Sequence, residues 1–279
     1  MIRDSIFILT LKKGNVMQHL RHKSARKLFK EIANNPQNYL IIHYACESFY
    51  DTKAGHSPRI TSIAVYDYAT GQTDSFSIHK TAEKKHIYFS DIENHYDELE
   101  KSMLDEFFEY AKEHSTCSWI HWNMRIITYG FKAIEHRYSV LGGNPHKIPD
   151  NKKIDLAREL IRCYGAGYAD HPRLEKLLEH NEIKAIDYLN GQQEAEAFAN
   201  HEYVKLHMST LRKVDVFSNI LTRTINNQLK VKSSWTEIYG ISVQGILNYC
   251  KDTWWIQLIW TVISMFLGAL ISAFVGNIL

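Results

Sequence analysis

The chain is poor in the residues that build small stapled or metal-bound domains. Four cysteines occur in 279 residues, and no two of them form a C-x-x-C pair. This spacing argues against a zinc knuckle and a disulfide framework, so we expect reduced thiols in a cytosolic domain. Glycine-rich loops of the G-x-G-x-x-G or P-loop type are also missing from the sequence. A nucleotide-phosphate cradle of either kind is therefore excluded.

An excess of charge of one sign is missing as well. The 33 basic and 31 acidic residues leave a formal net charge of +2, which excludes a histone-like polycation. Hydrophobic residues make up 45% and aromatic residues 12% of the chain, which excludes a disordered one. There are 15 histidines, but pairs such as His19 with His22 lack third and fourth ligands. We expect no metal and no cofactor.

One apolar run stands apart from a mean hydropathy of −0.32. Residues 254–279 carry no charged side chain, and at about 1.5 Å per residue a helix of this length spans the roughly 30 Å hydrocarbon layer. Tryptophans open the run, and basic residues lie before it: Arg212, Lys213, Lys230, Lys232 and Lys251. By the positive-inside rule we expect a single-pass, tail-anchored protein of the inner membrane with its body in the cytoplasm.

Small and polar residues recur on one face of this run. They are Gln257, Thr261, Ser264, Gly268 and Ser272. Small residues four apart let helices approach closely, and an amide that faces lipid is unfavourable. We therefore predict a homo-oligomer, with a tetramer favoured, in which this face lines a pore. A plain anchor with incidental glycines is the alternative.

The sequence divides into four regions. They are a basic N-terminal element at 1–37, an α/β domain at 38–210, a helical stalk at 211–253 and the membrane helix at 254–279. A helix is expected around 16–33, either solvated or in contact with phosphate or lipid. In the stalk, apolar residues at three-to-four spacing predict contacts between copies: Leu211, Val214, Phe217 or Ser218, Leu221 and Ile225.

Strand and helix patterns alternate within the α/β region. An apolar run followed by two alternating segments predicts an antiparallel meander of three strands at 39–45, 59–68 and 73–79. Apolar residues at helical spacing and a short apolar run then predict a helix at 99–111 and a strand at 117–122. A strand and helices follow, the last of them long: 153–165, 171–183 and about 192–232.

This order of three strands, helix, strand and helices is that of the ribonuclease-H-like fold, and four segments resemble the DEDD 3′–5′ exonucleases. LIIHYACESF, followed by RITSIAVYDYATGQTDSFSIH, resembles the opening strands of the family. WIHWNMRIITYGFKAIEHRY resembles its second motif, and IDLARELIRCYGAGYADHPRLEKLLEHNEI resembles the passage that follows. LNGQQEAEAF falls at the third motif. The resemblance covers about residues 39–210 and implies a mixed sheet flanked by helices.

Several functional positions of that family are changed. The resemblance places its first Asp at Ala45, the following Glu at Glu47, the second-motif Asp at Ile127 and the third-motif Asp at Glu194, with the general-base His at Leu189. In the family four carboxylates hold two divalent metals, and hydrocarbon side chains cannot coordinate Mg²⁺. We therefore expect a domain that is not an enzyme.

A cleft without its metals can still bind a single-stranded 3′ end by aromatic stacking and cationic contacts. The candidate residues are His43, Glu47, Ser48, Phe49, Tyr50, His121, Trp122, Asn123 and Arg125. Structural alternatives are a core position for Trp122, buried strand imidazoles for His43 and His121, and a solvated helix start for Arg125. Glu47 is the strongest candidate, because a carboxylate alone at a strand end requires a partner such as a ribose hydroxyl or a cation.

An exonuclease-like domain joined to a self-associating membrane helix resembles the transmembrane effectors of Hailong-type bacterial antiphage defence. The resemblance implies a nucleotidyltransferase partner whose single-stranded DNA oligomers hold a membrane channel shut. We expect a membrane-anchored sensor-effector in contact with lipid. Two alternatives stay open. One is an active membrane-tethered exonuclease with displaced ligands such as Glu47, Asp187 and Glu194, and the other is a tail-anchored scaffold without a ligand.

Overall fold

The computed structural model describes residues 2–47, 57–240 and 243–276. Ser48, Phe49 and Tyr50, three of the predicted nucleic-acid-binding residues, lie outside the described residues. The chain divides into two compact units. As far as they are described, the larger consists of Arg26–Leu160 and Asp170–Val231, and the smaller of Met1–Ala25, Ile161–Ala169 and Lys232–Leu279.

A mixed sheet of five strands forms the centre of the larger unit. Including a separate hairpin, the described strands of the chain are β1 (Tyr39–Cys46), β2 (Ile60–Asp67), β3 (Thr73–Ser77), β4 (Ser118–His121), β5 (Arg125–Ile126), β6 (Tyr129–Gly130) and β7 (Lys153–Asp155). The sheet order is β3-β2-β1-β4-β7, while β5 and β6 pair separately as a hairpin. β1 is parallel to β4 and β4 to β7, whereas β2 is antiparallel to both β1 and β3. The predicted three-stranded meander and the strand at 117–122 are confirmed.

Helices occupy both faces of this sheet, and the chain is an α/β protein. The helices that the structure describes along the chain are α1 (Ile2–Asn34), α2 (Ile78–Lys84), α3 (Tyr96–Glu113), α4 (Phe131–Val140), α5 (Leu156–Tyr164), α6 (Arg173–His180), α7 (Gly191–Ala199), α8 (Tyr203–Ile225), α9 (Trp235–Tyr239), α10 (Val243–Asp252) and α11 (Trp254–Gly276). Short 3₁₀ helices lie at Pro36–Asn38, Phe89–His95 and Asp150–Lys152. The fold class predicted from the sequence, a mixed sheet flanked by helices, is confirmed at this level.

Strand β1 is buried along its whole length because helices cover both of its faces. Leu40, Ile42 and Tyr44 join side chains of α3 and α4 in one hydrophobic cluster. Ala45 points to the opposite face and joins side chains of α2, α7 and α8 in a second cluster. A hydrogen bond of 2.7 Å between the Ser62 and Thr210 hydroxyls ties β2 to α8 on this second face.

The prediction of one continuous helix over about 192–232 is wrong. The structure has α7 and α8 in its place, separated by a turn in which His201 adopts a φ of 58°. Histidine and asparagine enter the left-handed region more readily than most residues, and the turn Asn200-His201-Glu202 uses this tolerance to end one helix and begin the next. The break lets α7 and α8 pack side by side on the sheet.

The predicted stalk begins inside this helical layer and not after it. The boundary expected at residue 210 falls within α8, which continues to Ile225. Val214, Phe217 and Leu221, expected to contact other copies, are buried within the larger unit. Their spacing therefore reflects packing of α8 against the sheet, and the expectation that they form contacts between copies is corrected.

The basic N-terminal element forms a helix that is longer than predicted. Helix α1 runs over 33 residues and includes the expected helical span at 16–33. Phe29 and Ile32 near its end are buried, so this part of the helix is not fully solvated. Arg26 donates a hydrogen bond of 2.8 Å to the Thr224 carbonyl at the end of α8. One of the basic residues thus has a structural partner.

The last helix, α11, contains the long apolar run. Thr261 and Ser264 donate hydrogen bonds to carbonyls one turn earlier in the same helix. Within the part of the chain that the structure describes, no single helix is long and apolar enough to cross a membrane. Segments Gly245–Lys251 and Trp255–Leu270 together pass that test on length and composition, with a bend of 87° between them.

Candidate functional site

The carboxyl ends of the parallel strands β1, β4 and β7 meet at one edge of the sheet. Glu47 follows β1, Trp122 follows β4, and Asp155 ends β7. In open α/β sheets this edge is where ligands bind, because loops there can present side chains without disturbing the core. The structure therefore brings together the regions around the first and second sequence motifs.

A cavity of about 210 Å³ opens at this edge. The residues around it come from strands, loops and helices that are distant in sequence: His43, Trp122, Asn123, Tyr129, Leu174, Tyr188, Gly191, Glu194, Lys213 and Phe217. All of them belong to the larger unit. Three of the predicted nucleic-acid-binding residues, His43, Trp122 and Asn123, line it.

A buried ion pair joins α7 and α8 in this cavity. Lys213 Nζ lies 2.6 Å from Glu194 Oε1, and both side chains are almost fully buried. Ser209 Oγ donates a second hydrogen bond, of 3.1 Å, to the same oxygen. Lys213 Nζ also lies 5.3 Å from the centre of the Tyr188 ring. Since burying an unpaired charge is costly, each partner makes the other tolerable at this depth.

His43 lies in the cavity wall with 5% of its surface exposed. Its ring packs edge-on against Phe217, and the Tyr129 hydroxyl lies 3.5 Å from Nδ1. Burial, and to a lesser degree the Lys213 ammonium, lowers the pKa of His43 well below its ordinary value. The imidazole is therefore neutral at physiological pH. Its Nε2 atom and Oε2 of Glu194 are buried with no hydrogen-bond partner among the described residues.

The walls of the cavity are largely aromatic. Trp122 stacks on Phe217 with ring centres 5.7 Å apart, and Tyr129 stacks on Tyr44 at 4.8 Å. Trp122 is 8% exposed, so most of its side chain is in the core, as the structural alternative from the sequence proposed. The remaining part of the side chain lines the cavity. The Tyr188 hydroxyl donates to a Glu175 oxygen at 2.9 Å, which fixes its ring.

Glu47, the strongest candidate from the sequence, is not a carboxylate in need of a partner. Its oxygens lie 3.4 to 3.5 Å from Arg59, to which it is hydrogen-bonded and ion-paired. Arg59 also forms an ion pair of 2.9 Å with Glu93 and lies between the rings of Tyr96 and Phe198. The expectation of an unpartnered carboxylate is therefore corrected, because Arg59, the residue before β2, lies beside Glu47 in the fold although 12 residues separate them in the sequence.

The second motif does not lead directly into a helix. Asn123 adopts a φ of 57°, and the hairpin β5-β6 follows before α4 begins at Phe131. Arg125 was considered as a solvated helix start, but it lies in β5 and its Nε is 2.6 Å from Asp155 Oδ2. His121 Nδ1 accepts a hydrogen bond of 3.1 Å from the Met124 backbone, and burial lowers the pKa of His121 to about 4. The ion pair between Arg125 and Asp155 thus fixes the segment after β4 to the end of β7.

The positions that the resemblance assigns to the metal ligands and the general base of the exonucleases are apolar or paired with a cation here. Ala45 and Leu189 lie in the same hydrophobic cluster, and Ile127 is exposed on the β5-β6 hairpin. Glu47 is paired with Arg59 and Glu194 with Lys213. Among the described residues, no group of three or more His, Cys, Asp or Glu side chains could hold a metal ion. The displaced set Glu47, Asp187 and Glu194 is therefore not assembled as a metal site.

Sequence reasoning missed half of the cavity. Tyr129, Leu174, Tyr188 and Gly191 were not singled out, while Lys213 was counted as a basic residue flanking the membrane run. One signal could have identified Lys213. It lies at helical spacing among Leu206, Thr210 and Phe217, so it interrupts an apolar stripe, and a lysine in such a position requires a buried partner.

Comparisons of the chain with models of protein families, with curated proteins and with solved structures found no match.

Proposed function

We propose that this protein is a membrane-anchored sensor-effector whose nuclease-like domain binds a single-stranded DNA oligomer without cutting it. The buried ion pair between Glu194 and Lys213 is the observation that carries the proposal. A carboxylate that serves a divalent metal must keep its oxygens available, whereas here an ammonium group already neutralises one of the two carboxylates that remain at the family's ligand positions.

The element order supports the ribonuclease-H-like, DEDD-type part of this proposal. Three strands, a helix, a further strand and helices follow one another along the chain, as in that fold. The segments that resemble the first and third exonuclease motifs also meet in space, since His43 of β1 and Glu194 of α7 line one cavity. A chance resemblance spread over about 170 residues need not bring these segments together.

The chemistry of the cavity favours binding over hydrolysis. Hydrolysis in the exonuclease manner needs two hydrated metals held by carboxylates, and the side chains at Ala45 and Ile127 supply no ligand. Binding of a single strand needs aromatic surfaces and cations along a groove. Trp122, Tyr129 and Tyr188 provide the first in the cavity wall. The half-exposed Arg125 provides a cation nearby, since it donates a hydrogen bond of 2.8 Å to Asn123, which lines the cavity.

Helix α11 supports the membrane part of the proposal. It extends over 23 residues without a charged side chain, and most of the large apolar side chains between Trp255 and Leu270 are exposed in the single chain. An exposed apolar surface of this kind requires lipid or another protein to cover it. No single described helix is long and apolar enough to cross a membrane, but α11 supplies most of the bent pair that passes on length and composition. We propose that this segment inserts in the inner membrane, that several copies form a channel, and that the bound oligomer gates it.

The proposed biological role is antiphage defence. A non-cutting nucleic-acid sensor joined to a channel fits antiphage defence, in which a nucleotidyltransferase partner makes the oligomer and its loss or appearance changes membrane permeability.

A binding and cleavage assay tests the DNA-binding part. We expect full-length protein in detergent to bind a 5′-fluorescein-labelled single-stranded 12-mer with salt-dependent affinity, and to leave it uncut in Mg²⁺ or Mn²⁺. Arg125→Gln should weaken binding. It should also lower the magnitude of the slope of log affinity against log salt by about one, the contribution of one phosphate contact. Arg158→Gln, an exposed arginine on α5, is the matched control. Metal-dependent shortening of the labelled strand would contradict the proposal and favour an active exonuclease.

The helix α11 proposal has its own test. A Cβ atom added at Gly268 would meet no heavy atom within 4 Å, so Gly268→Leu encounters no obstacle within one chain. If copies approach each other at this face, the added side chain should lower the cross-linked oligomer fraction about fivefold or more. Ala269→Leu, one position further around the helix, should leave that fraction unchanged. Equal cross-linking of both variants and wild type would contradict assembly through this face.

A further inference from the structure

Two buried polar atoms in the cavity have no partner among the described residues. They are Nε2 of His43 and Oε2 of Glu194, on side chains that are 5% and 1% exposed. Buried polar atoms in native proteins are nearly always hydrogen-bonded, because an unmade bond leaves the cost of desolvation uncompensated. Both side chains line the same cavity. These atoms therefore point to a ligand that enters it.

The charges around these atoms favour a neutral ligand. Lys213 balances the charge of Glu194 at 2.6 Å, and the buried His43 imidazole is neutral. A phosphate group would meet the Glu194 carboxylate, and a divalent cation would meet the Lys213 ammonium. An uncharged polar group encounters neither repulsion.

The size and walls of the cavity favour a flat ligand. Its volume is about 210 Å³, below the roughly 300–1,000 Å³ of sites that hold a drug-sized molecule. One ring system fits, but a whole nucleotide does not. The aromatic residues Trp122, Tyr129, Tyr188 and Phe217 surround this space, and aromatic side chains offer stacking surface to any base.

The hydrogen-bonding pattern adds a third condition. Oε2 of Glu194 accepts and cannot donate. The Tyr129 hydroxyl lies 3.5 Å from Nδ1 of His43, and donation by that hydroxyl places the ring proton on Nε2. The cavity then presents one acceptor and one donor. A nucleobase edge has the complementary pair, an N–H beside a ring nitrogen or a carbonyl oxygen.

We infer that the cavity holds one nucleobase of a bound single strand, turned in between the aromatic walls with its polar edge at His43 and Glu194. This inference rests on the proposed DNA-binding function. The proposed site differs from an exonuclease active site, because the cavity binds a base and not metal ions or the phosphate to be cleaved.

An abasic scan tests the inference on the full-length protein in detergent. The probe is the labelled single-stranded 12-mer, with one tetrahydrofuran residue replacing the nucleotide at each position in turn. We expect one abasic position to lower affinity at least about tenfold, since the base that enters the cavity loses its stacking and hydrogen bonds. The remaining positions should change affinity much less.

A cavity-filling variant gives the second measurement. Gly191 lines the cavity at the first residue of α7, so Gly191→Trp should block entry, weaken binding of the intact 12-mer and remove the effect of the critical abasic position. The matched control is Gln192→Trp, which places the same side chain at the next, exposed residue and should retain the wild-type pattern. A wild-type protein that binds the 12-mer but tolerates every abasic position would overturn the base-pocket inference while leaving DNA binding intact. Failure to bind any single strand would overturn both.

Discussion

Replacing Lys213 by methionine should lower the free energy of unfolding by about 3–5 kcal/mol, because removing one partner of a buried pair leaves an uncompensated charge. In Lys213→Met the Glu194 carboxylate, whose residue is 1% exposed, would stay buried with only the Ser209 hydroxyl bonded to its Oε1. Methionine has nearly the length of lysine, so loss of packing contributes little to this effect. Urea denaturation of the full-length protein in detergent, followed by tryptophan fluorescence, measures the change.

A double-mutant cycle separates the ion pair from its surroundings. Glu194→Gln alone should also destabilise strongly, because it leaves the Lys213 ammonium buried without a counter-charge. The combined Lys213→Met and Glu194→Gln variant should lose less than the sum of the single changes, by more than about 1 kcal/mol in the range of about 0.5–3 kcal/mol known for contacting residues.

An exposed pair at the start of α8 provides the matched control. Lys205 and Glu202 lie 2.8 Å apart with half-exposed side chains. Lys205→Met should change the free energy of unfolding by less than about 1 kcal/mol, as is usual for surface ion pairs. If Lys213→Met lowered the free energy of unfolding as little as this control, the two charges would not be buried together. The conclusion that Lys213 neutralises Glu194 in the cavity would then be wrong.

The strands were predictable because their signals are local. The segment YLIIHYAC is apolar throughout and became a strand buried on both faces, and the alternating segments beside it became its antiparallel neighbours. Helix α3 was predicted for the same reason, since its apolar residues recur at one helical face. In these cases the pattern of burial and the pattern of sequence have the same period.

The partners of the charged groups were not predictable in the same way. Glu47 and Arg59 are 12 residues apart and pair because β1 and β2 are antiparallel. Glu194 and Lys213 are separated along the chain by the end of α7, and they pair because a turn at His201 folds α7 back against α8. A single helix over this span, as expected from the sequence, would have placed these residues more than about 25 Å apart at about 1.5 Å per residue.

The cavity depends on this same non-local information. From the sequence, His43 and Trp122 were candidates on separate motifs, and the structure brings them to one cavity. Tyr129 reaches it through a hairpin of two-residue strands, which is too short to give a sequence period. Such short elements are set by tertiary contacts, which explains why the helix expected after the second motif begins later than predicted.

Replacing Gly130 by alanine should lower the free energy of unfolding by about 3 kcal/mol or more, through backbone strain and overpacking together. Gly130 has a φ of 146°, a conformation open almost exclusively to glycine. A Cβ atom there would lie 2.4 Å from the Met124 carbonyl oxygen, which is backbone and cannot move aside. The Gly130 amide also donates a 2.9 Å hydrogen bond to the Tyr44 hydroxyl. Urea denaturation measures the loss.

The same change should disturb ligand binding, because Gly130 sets the direction of the residue before it. Tyr129 stacks on Tyr44 and lines the cavity, so a shift of the hairpin moves one aromatic wall. Gly142→Ala is the matched control: Gly142 also has a positive φ, of 80°, but a Cβ there meets no atom within 4 Å. The control should cost about 1–2 kcal/mol from strain alone and leave affinity for the single-stranded 12-mer unchanged. Equal losses in the two variants would show that the β5-β6 hairpin yields to the added methyl group and that Gly130 does not fix the cavity wall.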